Sequence, residues 1–256
     1  MPRSLPLAWI RPAFWLPLAV LLAIFGGLWQ WGAHAMPYFL PPLPSVFSAL
    51  SGHLSYYAHN AGITLGEAVI GLGLAFVVAF ALAVLMSEAP VARRAVLPVA
   101  VVLNVTPLVA IAPPLVVAFG FGPAPKIIIT SLICFFPILI NTTAGLRSVP
   151  VPMLQVYQTM KASRLELLVH LRVPSALPYL FAALRIVAPL SIIGAVVAEL
   201  SASGSVGGLG SVISVASSMN ELAVVYAAIF VLAVMGVLLM LVITLAERQA
   251  LRWHES

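Results

Sequence analysis

Residues 222–246 read LAVVYAAIFVLAVMGVLLMLVITLA, with no charged side chain from end to end. A helix that crosses a bilayer needs about 20 consecutive, mostly apolar residues. This run satisfies that requirement, and five further stretches read the same way: Phe14 to Trp31, Gly62 to Met86, Ala95 to Phe119, Ile127 to Leu146 and Pro178 to Leu200. Trp15, Trp29 and Trp31 lie near the ends of the first, where indole rings anchor at the interface. The third is interrupted by Pro98, Pro107, Pro113 and Pro114, and the fourth contains Pro137. The expected fold is therefore an all-α integral membrane protein, one transmembrane domain over residues 1–256 with six transmembrane helices.

Composition agrees. Of 256 residues, 62% are hydrophobic and 7% charged, where a soluble domain carries about a quarter charged. An ordinary cytosolic enzyme, a disordered chain and a nucleic-acid-binding module are all excluded on that ground. The acidic residues are all Glu, with no Asp, so no mechanism can use an Asp nucleophile, dyad or metal ligand from this chain. Cys134 is the only cysteine, which excludes an internal disulfide and a cysteine zinc cluster.

The basic residues assign sides. With the N-terminus in the cytoplasm, Arg3, Arg11, Arg93, Arg94, Arg147, Lys161, Arg164, Arg172, Arg248 and Arg252 all fall on cytoplasmic segments. Arg185 falls near the cytoplasmic end of the fifth helix, and only Lys126 falls outside. This one-sidedness is the positive-inside pattern. It puts both termini in the cytoplasm and explains the net charge of +5 as topology, without a nucleic-acid partner. Ala33-His34-Ala35 offers a rival reading, a signal-peptidase site after the first apolar run. The run is long for a signal sequence and its aromatic belt suits an anchor, so it is expected to stay.

Between the spans, residues 32–61 are rich in Pro and aromatics, and Ser45 to Tyr57 reads as a short surface helix opened by a Ser cap. Residues 147–177 form the longest cytoplasmic loop, and residues 201–220 are rich in Gly and Ser. There is no G-x-x-x-x-G-K-[ST] nucleotide loop and no H-E-x-x-H. All five histidines lie outside the spans. Glu67 and Glu199 are the only acidic residues within a span, near the external ends of their helices, and read as solvated end residues because buried charge is costly. No catalytic or metal-ligating set exists, and no cofactor is expected in this chain. The chain reads as a passage that something else drives; the alternative is an ATP-independent secondary transporter or channel.

The internal loop is the distinctive element. Pro152 suits the first turn of a short helix to about Met160. Ser163-Arg164-Leu165-Glu166 is a capping box, S-x-x-E, opening a second short helix to His170. Pro174 is expected to end it and Pro178 to start the fifth span. The two helices make a knob with an apolar face that needs a partner.

Taken together, Ala162-Ser163-Arg164, Val173-Pro174 with Leu177-Pro178-Tyr179, Leu184-Arg185, Ala198-Glu199 and Gly208-Leu209-Gly210 resemble the permease subunit of a bacterial ABC importer. The resemblance is to the nitrate, sulfonate and taurine branch, which includes uptake systems for pyrimidine precursors. It extends to Leu40–Val46, Pro107–Pro113, Phe119–Gly122 and Phe135–Ile138, so it covers nearly the whole chain. The family loop carries E-A-A, three residues, G, nine residues, I-x-L-P. Here Gln155, Val156 and Tyr157 stand for E-A-A and Lys161 stands for the glycine. Glycine there permits positive φ between the helices; with Lys, the turn is expected to be right-handed or to fall at Ala162-Ser163.

The resemblance implies a type I importer permease fold with a cytoplasmic coupling loop, in the bacterial inner (plasma) membrane. Two permease copies, a homodimer, would form the path, and two ATP-binding subunits beneath would hold ATP and Mg. A periplasmic or lipid-anchored binding protein would deliver a small organic molecule or oxyanion. Ala162, Ser163, Leu165, Glu166, Leu168 and Val169 are the expected contacts with the ATPase. Asn104, Thr106, Asn141, Thr142 and Thr143 are the candidate path residues; their competing role is to bond backbone near Pro107 and Pro137. Phe119 and Phe121 are the candidate outer gate. With no Lys or Arg expected at membrane depth, a neutral or zwitterionic solute such as a pyrimidine suits the path better than a fully charged anion.

Overall fold

The computed structural model describes residues 12–201 and 207–251. Arg3, Arg11, Arg252, His254 and the side chain of Trp15, used in the sequence reading, lie outside the described residues. Among the described residues every regular element is helical.

Helix α1 (Pro12–Ala35) leads through a turn to the short α2 (Leu43–Gly52). Then α3 (Leu54–Glu88) runs for 35 residues, about 50 Å at 1.5 Å per residue. That exceeds the roughly 30 Å hydrocarbon layer, so α3 tilts or projects beyond it. It stops at Ala89, held extended ahead of Pro90, as the residue before a proline prefers. The second span thus begins at Leu54, ahead of the expected Gly62. The expected Ser45 cap is also absent. Helix α2 opens two residues earlier behind Pro42, and the Ser45 hydroxyl donates to the Pro42 carbonyl at 2.7 Å.

The expected third span is not one helix. It divides into α4 (Pro90–Val105) and α5 (Leu108–Phe119), whose axes differ by 96°. The break falls at Thr106, with ψ 129°, because Pro107 drives its predecessor out of the helical region. Pro98, Pro113 and Pro114 sit inside their helices without breaking them. Among the described residues five helices are long and apolar enough to cross a membrane, and six spans result if the bent pair is one.

Helix α6 (Pro123–Leu146) lies between α3 and α9 (Val173–Ser201). In lipid, apolar side chains gain nothing by leaving the hydrocarbon, so helices associate by close packing of small residues. The buried row Ala75, Ala79 and Ala83 on α3 and Ala176, Ala183 and Ala195 on α9 serves that role. At Gly145, a Cβ would come within 2.9 Å of the Ala176 Cα, so only glycine permits that approach. Helix α11 (Leu222–Ala250) closes the far side of α9, tied by an Arg185–Glu247 ion pair at 2.6 Å. Large apolar side chains on α1 and α11, among them Leu21, Phe25, Leu238 and Val242, face outward, as lipid contact requires. The Gly- and Ser-rich segment after α9 contains a further helix, α10 (Leu209–Ser218).

At one end of the bundle, α7 (Val151–Thr159) and α8 (Arg164–Leu167) form the predicted knob. Its exit differs from expectation. A π-helical turn (Leu168–Arg172) joins α8 directly to α9, with Pro174 and Pro178 inside the continuous rod. The Val173 N–H donates to the Leu168 carbonyl five residues back. This wider turn makes room for the Pro174 ring, which would otherwise press on the carbonyl four residues before it.

Candidate functional site

Two constellations occupy opposite ends of the bundle. The knob is the first. Helix α7 ends in a Schellman motif: the Ala162 N–H donates to the Tyr157 carbonyl and the Lys161 N–H to the Gln158 carbonyl, both at 3.0 Å. This motif puts its C′ residue in the left-handed region, usually glycine. Lys161 takes that place with φ 53°, so the joint keeps the geometry of the glycine-bearing pattern without the glycine. Neither the right-handed turn nor the displaced joint expected from the sequence occurs. Two hydrogen bonds compensate the backbone cost of a non-glycine there.

The capping box is present as read. The Glu166 N–H donates to Ser163 Oγ at 3.2 Å and the Ser163 N–H donates to Glu166 Oε2 at 2.7 Å. The backbone hydrogen bond from Ser163, then its side chain, hold the Glu166 carboxyl below its ordinary pKa. The carboxylate half of the cap is therefore intact at neutral pH and weakens as pH falls through that lowered value, while the Glu166 N–H bond to Ser163 Oγ does not titrate. No residue of α7, α8 or the π turn is buried. Leu165 is 68% exposed and Val169 51%. Met153 and Val156 on α7, with Met160 just after it, add an exposed apolar row. Leu168 differs: it packs against the core.

At the other end, a buried polar clamp holds the 207–210 segment onto the bundle. Asn60, Thr64 and Glu67 follow one face of α3. Lys126 opens α6 and Glu199 closes α9. Lys126 Nζ donates to Glu67 Oε1 at 2.9 Å and to the Gly207 carbonyl at 3.5 Å. The Thr64 hydroxyl donates to Glu199 Oε1 at 2.8 Å and accepts from the Leu209 N–H at 2.9 Å. The Gly208 N–H donates to Asn60 Oδ1 at 2.9 Å, and the Gly210 N–H donates to Glu199 Oε2. Lys126 and Glu199 are each 2% exposed. The solvated reading of Glu67 and Glu199 is thereby corrected: both are buried, Glu67 against the Lys126 ammonium and Glu199 against the Thr64 hydroxyl and the Gly210 N–H. Lys126, read as lying outside the membrane segments, is part of the same buried group. Glu67 Oε2 has no hydrogen-bond partner.

The candidate path residues are dispersed. Asn104 is exposed near the end of α4, and Thr106 sits at the bend with its hydroxyl donating to the Val102 carbonyl at 2.7 Å. On α6, half-buried Asn141 donates to the Pro137 carbonyl at 2.8 Å and buried Thr143 to the Leu139 carbonyl at 2.7 Å. The Thr142 hydroxyl is buried and unpartnered. Phe119 and Phe121 are exposed at the end of α5. Among the described residues no group of His, Cys or Glu is placed to hold a metal.

A helical membrane bundle with a capped knob at one end, a bent proline-rich helix pair and a polar clamp at the other has the form of a solute permease. The chain belongs to the family of binding-protein-dependent transport system inner membrane components, whose model matches residues 71–252. It is 34% identical over 90% of its length to the formylaminopyrimidine transport permease protein ThiX of Halalkalibacterium halodurans, covering 92% of that protein. It is 33% identical over 96% of its length to the riboflavin transport system permease protein RibX of Chloroflexus aurantiacus, covering 92% of it. It is 29% identical over 93% of its length to the taurine transport system permease protein TauC of Escherichia coli, covering 88%. The fold is similar to a chain of the methionine ABC transporter MetNI in an inward-facing conformation. The TM-score is 0.64 at 18% identity, over 73% of this chain and 93% of that one. The protein is thus a multi-pass inner-membrane permease subunit of a binding-protein-dependent ABC importer, and the carrier that works without ATP is set aside.

Proposed function

We propose that two copies of this chain form the path, with both termini and the knob in the cytoplasm, and that two separate subunits holding ATP and Mg seat against the knobs. The observation that carries this reading is the capped, unburied apolar surface of Leu165 and Val169 at the tip of an uninterrupted rod. Residues 164–201 form one 38-residue helical element, about 57 Å long at 1.5 Å per residue. The tip meets the ATPase and the other end carries Glu199 of the clamp. A displacement of the knob is transmitted as a rigid-body movement to the 207–210 segment.

Leu165→Asp with Val169→Asp is expected to abolish ATP-driven uptake while membrane insertion and thermal stability stay unchanged, since neither side chain packs on the core. Leu168→Asp, by contrast, loses stability. Uptake and stimulated ATP hydrolysis, measured in proteoliposomes with the partner subunits, check this; a double variant with normal coupling refutes the knob assignment. In the same assay Asn104→Leu with Asn141→Leu lowers uptake and leaves basal hydrolysis alone if these two line the path. Unchanged uptake leaves them only their helix-bonding role.

The cargo we propose is a small, planar nitrogen heterocycle, delivered by an external binding protein. The similarity to permeases named for formylaminopyrimidine and riboflavin, over 90% and 96% of the chain, supports it. So does the neutralisation of Lys126 by Glu67, which leaves no free cation there to hold an anion. A thermal-shift screen of the cognate binding protein checks this: pyrimidines or flavins are expected to stabilise it. Stabilisation by sulfonates, nitrate or bicarbonate alone overturns the assignment.

A further inference from the structure

The knob end carries a cavity of about 670 Å³ between the end of α3, the start of α4, the end of α6 and the start of α7. Arg93, Arg94, Arg147 and Arg172 converge on it. Arg172 is satisfied by the Glu88 carboxylate. The other three have no acidic partner among the described residues. Two helices also begin at its wall, α4 at Pro90 and α7 at Val151, and helix N-termini favour anions. Beneath the guanidinium groups the floor is apolar, with Met86 and Leu146 buried. Leu97, Pro98, Val149 and Leu154 complete the apolar part of the lining.

Topology accounts for arginines on one side of a membrane. It does not account for three unpaired ones around one cavity. Guanidinium groups form paired hydrogen bonds to phosphate oxygens, and basic pockets between transmembrane helices on the cytoplasmic side bind anionic headgroups. We infer that this cavity is a binding site for the phosphate headgroup of an anionic phospholipid, with the first carbons of an acyl chain against Met86, Leu97 and Leu146. A soluble phosphate would use the same arginines but would leave the apolar lining of Met86, Leu97, Leu146 and Leu154 uncovered. The site is independent of the coupling role of Leu165 and Val169, and neither of those residues belongs to it.

Native mass spectrometry of the full-length protein, titrated with phosphatidylglycerol or phosphatidylcholine of matched chains, tests the inference. Wild type is expected to retain phosphatidylglycerol selectively. Each arginine near an anionic headgroup contributes roughly a fivefold factor. Arg93→Gln with Arg94→Gln and Arg147→Gln is therefore expected to weaken retention by at least about tenfold. Inorganic phosphate and glycerol 3-phosphate form the soluble arm; if they bind wild type as well as the lipid does, the lipid assignment falls. Equal retention of both lipids, or retention unchanged in the triple variant, also overturns it. Because fewer arginines weaken topology, a second measurement uses wild type alone. A photoreactive phosphatidylglycerol is expected to label peptides at the starts of α4 and α7, and labelling confined to other helices refutes the site.

Discussion

Replacing Lys126 with Met will destabilise the folded permease by about 3–5 kcal/mol, the usual cost of removing one partner from a buried ion pair. Lys126 Nζ lies 2.9 Å from Glu67 Oε1, and both side chains are almost wholly inaccessible. The penalty is less the lost attraction than the carboxylate left behind without compensation. Glu67 Oε2 already lacks a hydrogen-bond partner. Lys126 also reaches the Gly207 carbonyl, so its loss loosens the adjoining loop. Lys126→Met combined with Glu67→Leu is expected to recover most of the stability, because an apolar pair of similar volume removes the stranded charge. Thermal unfolding of the three variants in detergent reads this directly. A single Lys126→Met variant that melts with wild type would show that the pair is not buried in the membrane-embedded protein.

The membrane class was readable from hydropathy alone, because a bilayer demands long apolar runs and few segments of any other protein supply them. Element boundaries were less readable, for identifiable reasons. Proline was read as ending a helix at Pro174 and starting the fifth span at Pro178, yet a π turn accommodates the first and α9 runs through both. At Pro107 the break is real, and nothing in the residue types around Pro98, Pro113 and Pro114 marks Pro107 as the one that bends. Lys161 shows the opposite case. Its side chain disfavours positive φ, but the Schellman hydrogen bonds hold it there, so the family geometry outlasts the family letter. The Ser163 capping box was legible because it is a local contact over four residues.

The polar clamp was not recognised, although a signal existed. Asn60, Thr64, Glu67 and Gly71 recur at spacings of four, three and four along α3, one helical face. Read as a row, they predict a polar stripe turned inward. Read one at a time, Glu67 becomes a helix-end residue. Lys126 and Glu199 cannot be joined to that stripe from sequence, since they lie 59 residues after Glu67 and 135 after Thr64 along the chain. Arg172 lies 84 residues after Glu88, and for the same reason the arginine cavity emerges only from the packed helices.

Gly208→Ala will be the most damaging small substitution in the 207–210 segment. Gly208 has φ 98° and ψ 155°, a region that only glycine occupies readily, and a side-chain residue there costs about 1–3 kcal/mol. A Cβ would also fall on the Glu199 carboxylate. The alanine must therefore push Glu199 away from the Gly210 N–H and the Thr64 hydroxyl, or lift the loop from Asn60. Either movement leaves buried polar groups unpaired, adding roughly 1–3 kcal/mol for each. The two causes separate in a double-mutant cycle with Glu199→Ala. Removing the carboxylate relieves the collision but not the backbone strain, so the cost of Gly208→Ala is expected to shrink in that background without vanishing. Equal cost in both backgrounds would mean that the collision contributes nothing, and no cost in wild type would mean that the loop does not hold this conformation. The knob lies at the opposite end of α9, so a Gly208→Ala protein that still folds is expected to bind the ATP-binding subunits normally. Co-purification with those subunits checks that last point, and its loss would show that the two ends of the rod are not structurally separable.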